Sequence, residues 1–185
     1  MKQHITTKHI CIIAFAVVLN IVGGEIALLL HLPIYLDSIG TLFIAAVLGP
    51  YYGMLPHLLS GIIFGMLSDI YSLYYAPVGI LLGLLAGIAW KKQHRHVGGL
   101  FKVALFITLP TSLLSASITA CLFGGITSSG STILIQLLAK TPLGLTLSCL
   151  IIQFFTDYID RVVSLFLVSI FLKKVPISLW QKYQL

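Results

Sequence analysis

Five acids, Glu25, Asp37, Asp69, Asp157 and Asp160, stand in or beside long apolar stretches of a 185-residue chain. Tyr35, Tyr71, Tyr74, Tyr75, Asn20, Gln153 and Arg161 lie among or near them. Carboxylates, phenols and amides make a hydrogen-bonding and stacking set suited to holding a small polar ligand. They do not spell a catalytic constellation. HExxH and GxGD are absent, and LLSG and TSSG lack the first glycine of a GxSG serine site. The expected activity is therefore binding without catalysis, and no cofactor or metal is expected.

Each polar group has a plainer reading beside the functional one. Asp37 stands before Ser38, Gly40 and Thr41, where it either caps a helix start or contacts ligand, and the two are compatible. SDIYSLYYAP, with Asp69 and three tyrosines, reads as an interfacial aromatic belt or as a wall for a flat heterocycle. Asp157 and Arg161 are four apart, the spacing of an intrahelical ion pair. Asp160 has no such local partner, which leaves it for ligand or for a bond between helices. Asn20 and Glu25 lie on an apolar helix, where a polar group faces protein or water, and Glu25 alternatively snorkels to the interface.

Composition determines what must position these residues. The chain is 58% hydrophobic and 9% charged, with mean hydropathy +1.06, which is the profile of an integral membrane protein. The formal charge of +6 is distributed by topology, and nucleic acid is not an expected partner. Lys2 and Lys8, then Lys91, Lys92, Arg95 and Lys102, then Lys173, Lys174 and Lys182 flank the apolar runs, and the positive-inside rule puts them in the cytoplasm. His94 and His96 fall in the same basic loop and read as a solvated turn. Cys11, Cys121 and Cys149 suggest no disulfide framework or zinc site.

The expected fold is all-α, a single domain of six transmembrane helices with both termini cytoplasmic. The spans are placed over 10–30, 37–52, 54–70, 78–90, 100–123 and 146–172. The first run, about 21 residues long, has the length of a retained span, longer than the core of a signal peptide. Pro50 and Gly53 are expected to break the chain between the second and third spans, and Pro110 to kink the fifth. The Gly/Ser stretch after Gly124 and the run ending at Pro142 predict an outer loop with a short interfacial helix. Gly61 and Gly65, and Gly79, Gly83 and Gly87, mark faces of close helix contact, within the chain or with a partner.

The succession LNIVGGEIALLL, LPIYLDSIGT, LGPYYG, LSDIYSLYYAPVG and FTDYIDRVVS resembles the substrate-binding S components of energy-coupling factor (ECF) transporters over nearly the whole chain. The resemblance implies a multi-pass protein of the bacterial plasma membrane that captures a vitamin or related micronutrient from outside. It also implies docking on one membrane coupling subunit with two cytoplasmic ATPases, and toppling in the bilayer to release the ligand. ATP would be hydrolysed by those partners, and the chain has no P-loop of its own.

Carried onto this chain, the ligand site of the family implies Tyr35, Asp37, Asp69, Tyr71, Tyr74, Tyr75, Gln153, Asp157 and Asp160, closed by Asn20 and Glu25. The family's Ala-x-x-x-Ala docking pattern is replaced here by Ala16 to Asn20, with Ala16, Gly23 and Ala27 as approximate substitutes. Acids with tyrosines suit a small, flat, neutral or cationic heterocycle. Vitamin B6 vitamers come first in that order, then thiamine precursors and riboflavin-like ligands. From other classes stand a structural subunit, whose acids pair internally, and a small channel, with a polar path through the bundle.

Overall fold

A computed structural model describes residues 6–92 and 97–174, and these described residues form eight α-helices. Lys2, His94, Arg95, His96 and Lys182 lie outside the described residues. In chain order the helices are α1 (Thr7–Leu29), α2 (Ile39–Leu48), α3 (Pro50–Leu67), α4 (Ile70–Tyr74), α5 (Ala76–Lys92), α6 (Val97–Phe123), α7 (Ser131–Leu138) and α8 (Gly144–Lys174). Two of them, α1 and the Gly99–Phe123 part of α6, are long and apolar enough to cross a membrane.

The short α2 is the centre of the bundle. It packs against α1, α3, α5 and α8, and its residues from Gly40 to Val47 are all buried. An apolar sequence with no polar face requires burial all round. The span expected over 37–52 is corrected accordingly: ten helical residues extend only about 15 Å, half the hydrocarbon thickness of a bilayer. Gly49, at φ 89°, ends α2. Pro50 then opens α3 at its first position, where a missing N–H is harmless. Gly53 lies inside α3 and breaks nothing. Pro110 likewise lies within a continuous α6.

Glycines set how closely α3 and α5 approach. A Cβ on Gly83 would overlap the Gly53 backbone, one on Gly79 the His57 ring, and one on Gly87 the Pro50 backbone. The row of three glycines thus meets α3 of the same chain. Further along the same face of α3, Gly61 and Gly65 abut Ser72 with Ala76 and Leu73, respectively.

The exterior is apolar and much of the interior is polar. Phe15, Val18 and Val22 on α1, Phe106, Leu109 and Leu113 on α6, and Phe155, Ile159 and Phe166 on α8 are exposed. Asn20, Thr41, Ser60, Thr108, Thr111, Ser115 and Gln153 are buried. That inversion suits a surface wetted by lipid, where apolar side chains lose nothing by facing outward. Of the cysteines only Cys149 is buried, while Cys11 and Cys121 belong to the open surface.

Substituting Gly83 with leucine is expected to abolish a monodisperse folded species, and Gly83→Ala to lower stability by about 1–3 kcal/mol through overpacking. Size-exclusion elution and thermal unfolding in detergent check both, and a Gly83→Leu protein that behaves as the parent would refute the contact.

Candidate functional site

One end of the bundle is covered by three connections: the 30–38 loop between α1 and α2, the short α4, and the 124–130 loop leading into α7. Beneath them lies a cavity of about 550 Å³, open mouth included. Of the residues singled out in the sequence, Tyr35, Asp37, Asp69, Tyr71, Tyr75 and Asp157 line it. His57, Ser72, Ser115, Thr127, Ser128 and Arg161 complete the polar wall. A smaller recess shares Tyr35, Asp37, Asp69, Ser72 and Ser128 with it and reaches Gly24 and Phe64.

The 30–38 loop is fastened by buried charge. Asp160 Oδ1 accepts from the Leu36 N–H at 2.8 Å, and its Oδ2 takes the Ser38 hydroxyl at 3.1 Å and Arg161 Nη1. Arg161 Nη1 also donates to Ser38 Oγ at 2.8 Å. Leu36 is held at φ 53°, a conformation unfavourable for a branched side chain and kept by its surroundings. Its carbonyl presses on Gly23, where any Cβ would collide with it.

This geometry corrects two expectations about the acids. Arg161 pairs with the neighbouring Asp160 and not with Asp157 one turn away, so Asp157 Oδ2 is left buried without a partner. Asp37 caps no helix, because α2 starts after Ser38; its carboxylate instead lies 3.9 Å from His57 Nε2. Ser38 itself turns toward α8, drawn by Asp160 and Arg161.

The covering connections are tied to each other by hydrogen bonds. Asp69 caps α4, accepting from the Tyr71 N–H at 3.4 Å and from Ser72 at 3.1 Å, and takes the Ser128 hydroxyl at 2.8 Å. The Gly130 N–H donates to the Leu32 carbonyl at 3.3 Å. Tyr71, Tyr74 and Tyr75 surround Phe123, with ring centroids at 4.8, 5.3 and 6.2 Å. Tyr71 and Tyr75 face the cavity, while Tyr74 is 48% exposed and outside it.

The other sequence candidates lie off the cavity wall. Asn20 is buried between helices: its amide donates to Thr41 at 2.8 Å and its oxygen accepts from the Gly40 N–H at 2.8 Å. Glu25 takes the Ser68 hydroxyl at 2.5 Å near the end of α3. Gln153 accepts from Ser115 at 2.5 Å and donates to Thr119, which meets the Tyr75 hydroxyl at 2.5 Å. Gln153 therefore positions Tyr75, and Asp160 positions the loop.

Ala16, Gly23 and Ala27, expected as a docking face, are all buried within the chain. Ala16 lies against Gly40 and Gly23 against Leu36, so the open face of α1 belongs to its large apolar residues.

His57 was missed, although its signal is in the sequence. Gly53, His57, Gly61 and Gly65 recur every fourth residue of α3, which puts the histidine on the inward glycine face. Among the described residues no three His, Cys, Asp or Glu side chains gather in a form that would hold a metal ion.

Two of the three cavity phenols, Tyr35 and Tyr75, hold their protons above the ordinary tyrosine range. Burial pushes the Tyr75 hydroxyl up to about 12, with Thr119 and Gln153 pulling the other way, and burial also raises Tyr35, with Tyr75 and Asp157 adding to it. Compared with known proteins, the chain matches no family model, no curated protein and no solved structure.

Two outcomes are expected. Asp160→Ala, which strands Arg161 inside the bundle, is expected to lower stability by about 3–5 kcal/mol; a thermal unfolding curve unchanged from the parent would sink that assignment. Between about pH 10 and 12 the unfolded chain releases the Tyr75 proton while the folded chain keeps it. The unfolded state then binds fewer protons, so this group's contribution is present below about pH 10 and is lost as pH rises through that window. Tyr75→Phe is expected to flatten part of the alkaline decline in melting temperature.

Proposed function

We propose that the chain is the membrane-embedded substrate-binding subunit of an ECF-type importer, capturing a small vitamin-like heterocycle at the loop-covered end of the bundle. In this reading α1, α3, α5, α6 and α8 cross the bilayer while the short α2 returns the chain inside the bundle to the start of α3, with both termini and the basic 91–102 region cytoplasmic. The covered end then faces outward.

The observation that carries the reading is a cavity into which partly unpaired, buried polar side chains converge above an apolar core. Leu42, Ile44, Leu82, Ile107 and Leu165 are fully buried in that core. A structural subunit would have no use for an unpartnered buried carboxylate, which is costly unless something pairs with it. A channel would need the polar lining to continue past those apolar residues. Energy for uptake would come from the coupling subunit and the two ATPases, and this chain would contribute recognition alone.

The exposed apolar faces of α1, α6 and α8 are available to lipid and to a coupling subunit. Docking through α1 would use residues such as Phe15, Val18 and Val22, since the small residues of that helix are turned inward.

Native mass spectrometry of the full chain, expressed alone in vitamin-rich medium, tests the reading. A co-purified small molecule of defined mass is expected, and its loss or about tenfold weaker retention in Tyr71→Ala, where a stacking wall is removed. A clean spectrum that stays clean after a vitamin panel is added would reject capture.

A further inference from the structure

Among the described residues, four buried side-chain atoms have no hydrogen-bond partner: Asp157 Oδ2, Arg161 Nε, His57 Nδ1 and Thr108 Oγ1. The first three belong to residues that line the cavity, and Asp157, Arg161 and His57 are only 2%, 4% and 7% exposed. Native interiors rarely leave such groups unsatisfied, so three of them around one space describe what is to fill it.

Asp157 and Arg161 are one turn apart on α8, so an acceptor and a donor project side by side. Arg161 Nη1 is already engaged by Asp160 and Ser38, and its Nε–H is the buried donor left without a partner. A group that satisfies both atoms must offer its own donor beside its own acceptor. A carboxylate offers two acceptors and meets Asp157 with like charge. A quaternary ammonium offers neither.

An amino group attached next to a ring nitrogen offers both, from two atoms in one plane. The ring that carries this edge finds Tyr35, Tyr71 and Tyr75 in the walls, and aromatic faces favour a flat partner. Asp37, Asp69 and Asp157 line the space, while the guanidinium of Arg161 is countered by Asp160. That excess of formal negative charge rejects anionic ligands.

We infer that the cavity selects a small flat nitrogen heterocycle by an amidine-type edge, the ligand's amino N–H donating to Asp157 and its ring nitrogen accepting from the Arg161 Nε–H. The inference rests on the capture reading above and narrows it from vitamin-like heterocycles to those bearing this edge. Pyridoxine, which has a ring nitrogen with no amino group beside it, falls outside the class.

The test uses the full chain in lipid nanodiscs and three probes: 4-aminopyrimidine, 4-(dimethylamino)pyrimidine, which keeps the ring nitrogen but has no amino N–H, and pyridoxine. Binding is read by ligand-observed saturation-transfer NMR and titration. The expected result is saturable binding of 4-aminopyrimidine, at least about tenfold tighter than either of the others, since a ligand without the amino N–H leaves the buried Asp157 oxygen unpaired. Asp157→Asn, whose amide can donate, is expected to remove that preference at an unchanged melting temperature. The comparison within the parent protein stands even where the variant does not fold.

Equal affinities, a preference for pyridoxine, or no saturable binding of any probe would overturn the edge assignment. A co-purified molecule of another chemical class would overturn it too while leaving capture intact. Capture itself fails on a different result, the absence of any bound molecule in native mass spectrometry after the vitamin panel.

Discussion

The bond that the covered end depends on is the buried pair of Asp160 and Arg161. In an apolar environment neither charge is tolerable alone, and the pair is stable only because further groups satisfy what remains. Those groups are the Leu36 N–H and the Ser38 hydroxyl, both from the connection that precedes α2. The electrostatic need of α8 thus fixes the path of a loop more than a hundred residues away in sequence. It also aligns Asp37 toward His57 and leaves Asp157 facing the cavity.

The same logic organises the rest of the interior. Asn20 joins α1 to α2 through Thr41 and Gly40, and Gln153 joins α8 to α6 through Ser115 and Thr119. Where no polar link is made, as between α3 and α5, glycines bring backbones together and dispersion does the holding. Polar bonds thus specify which helices meet, and small residues specify how closely.

Much of the secondary structure was legible in the sequence because apolar runs and proline or glycine boundaries are local signals. A helix overlaps each of the six expected stretches, with all but α2 beginning earlier than expected, and the short helix after Gly124 falls at Ser131–Leu138. The length of α2 was not legible, because hydropathy continues through Gly49 and Pro50 whether or not the helix does. Half of the cavity wall was legible from residue type alone, in Tyr35, Asp37, Asp69, Tyr71, Tyr75 and Asp157. Asp160 and Arg161 misled because helical spacing favours the pair four apart, whereas an interhelical demand from Ser38 and Leu36 drew the arginine to its neighbour. Spacing along one helix carries no information about which groups another element brings.

The brevity of α2 bears on how such a protein reaches its membrane. In the embedded arrangement proposed above, a ten-residue helix is too short to be a stable insertion unit, since its unpaired terminal backbone groups would lie at hydrocarbon depth. Its burial by α1, α3, α5 and α8 supplies what lipid cannot. Biogenesis would then require α2 to enter with α3 as a hairpin turning at Gly49 and Pro50, and to wait for α8, made well after it, before the loop ahead of it is locked. The order of synthesis leaves the covered end unfinished until α8 arrives.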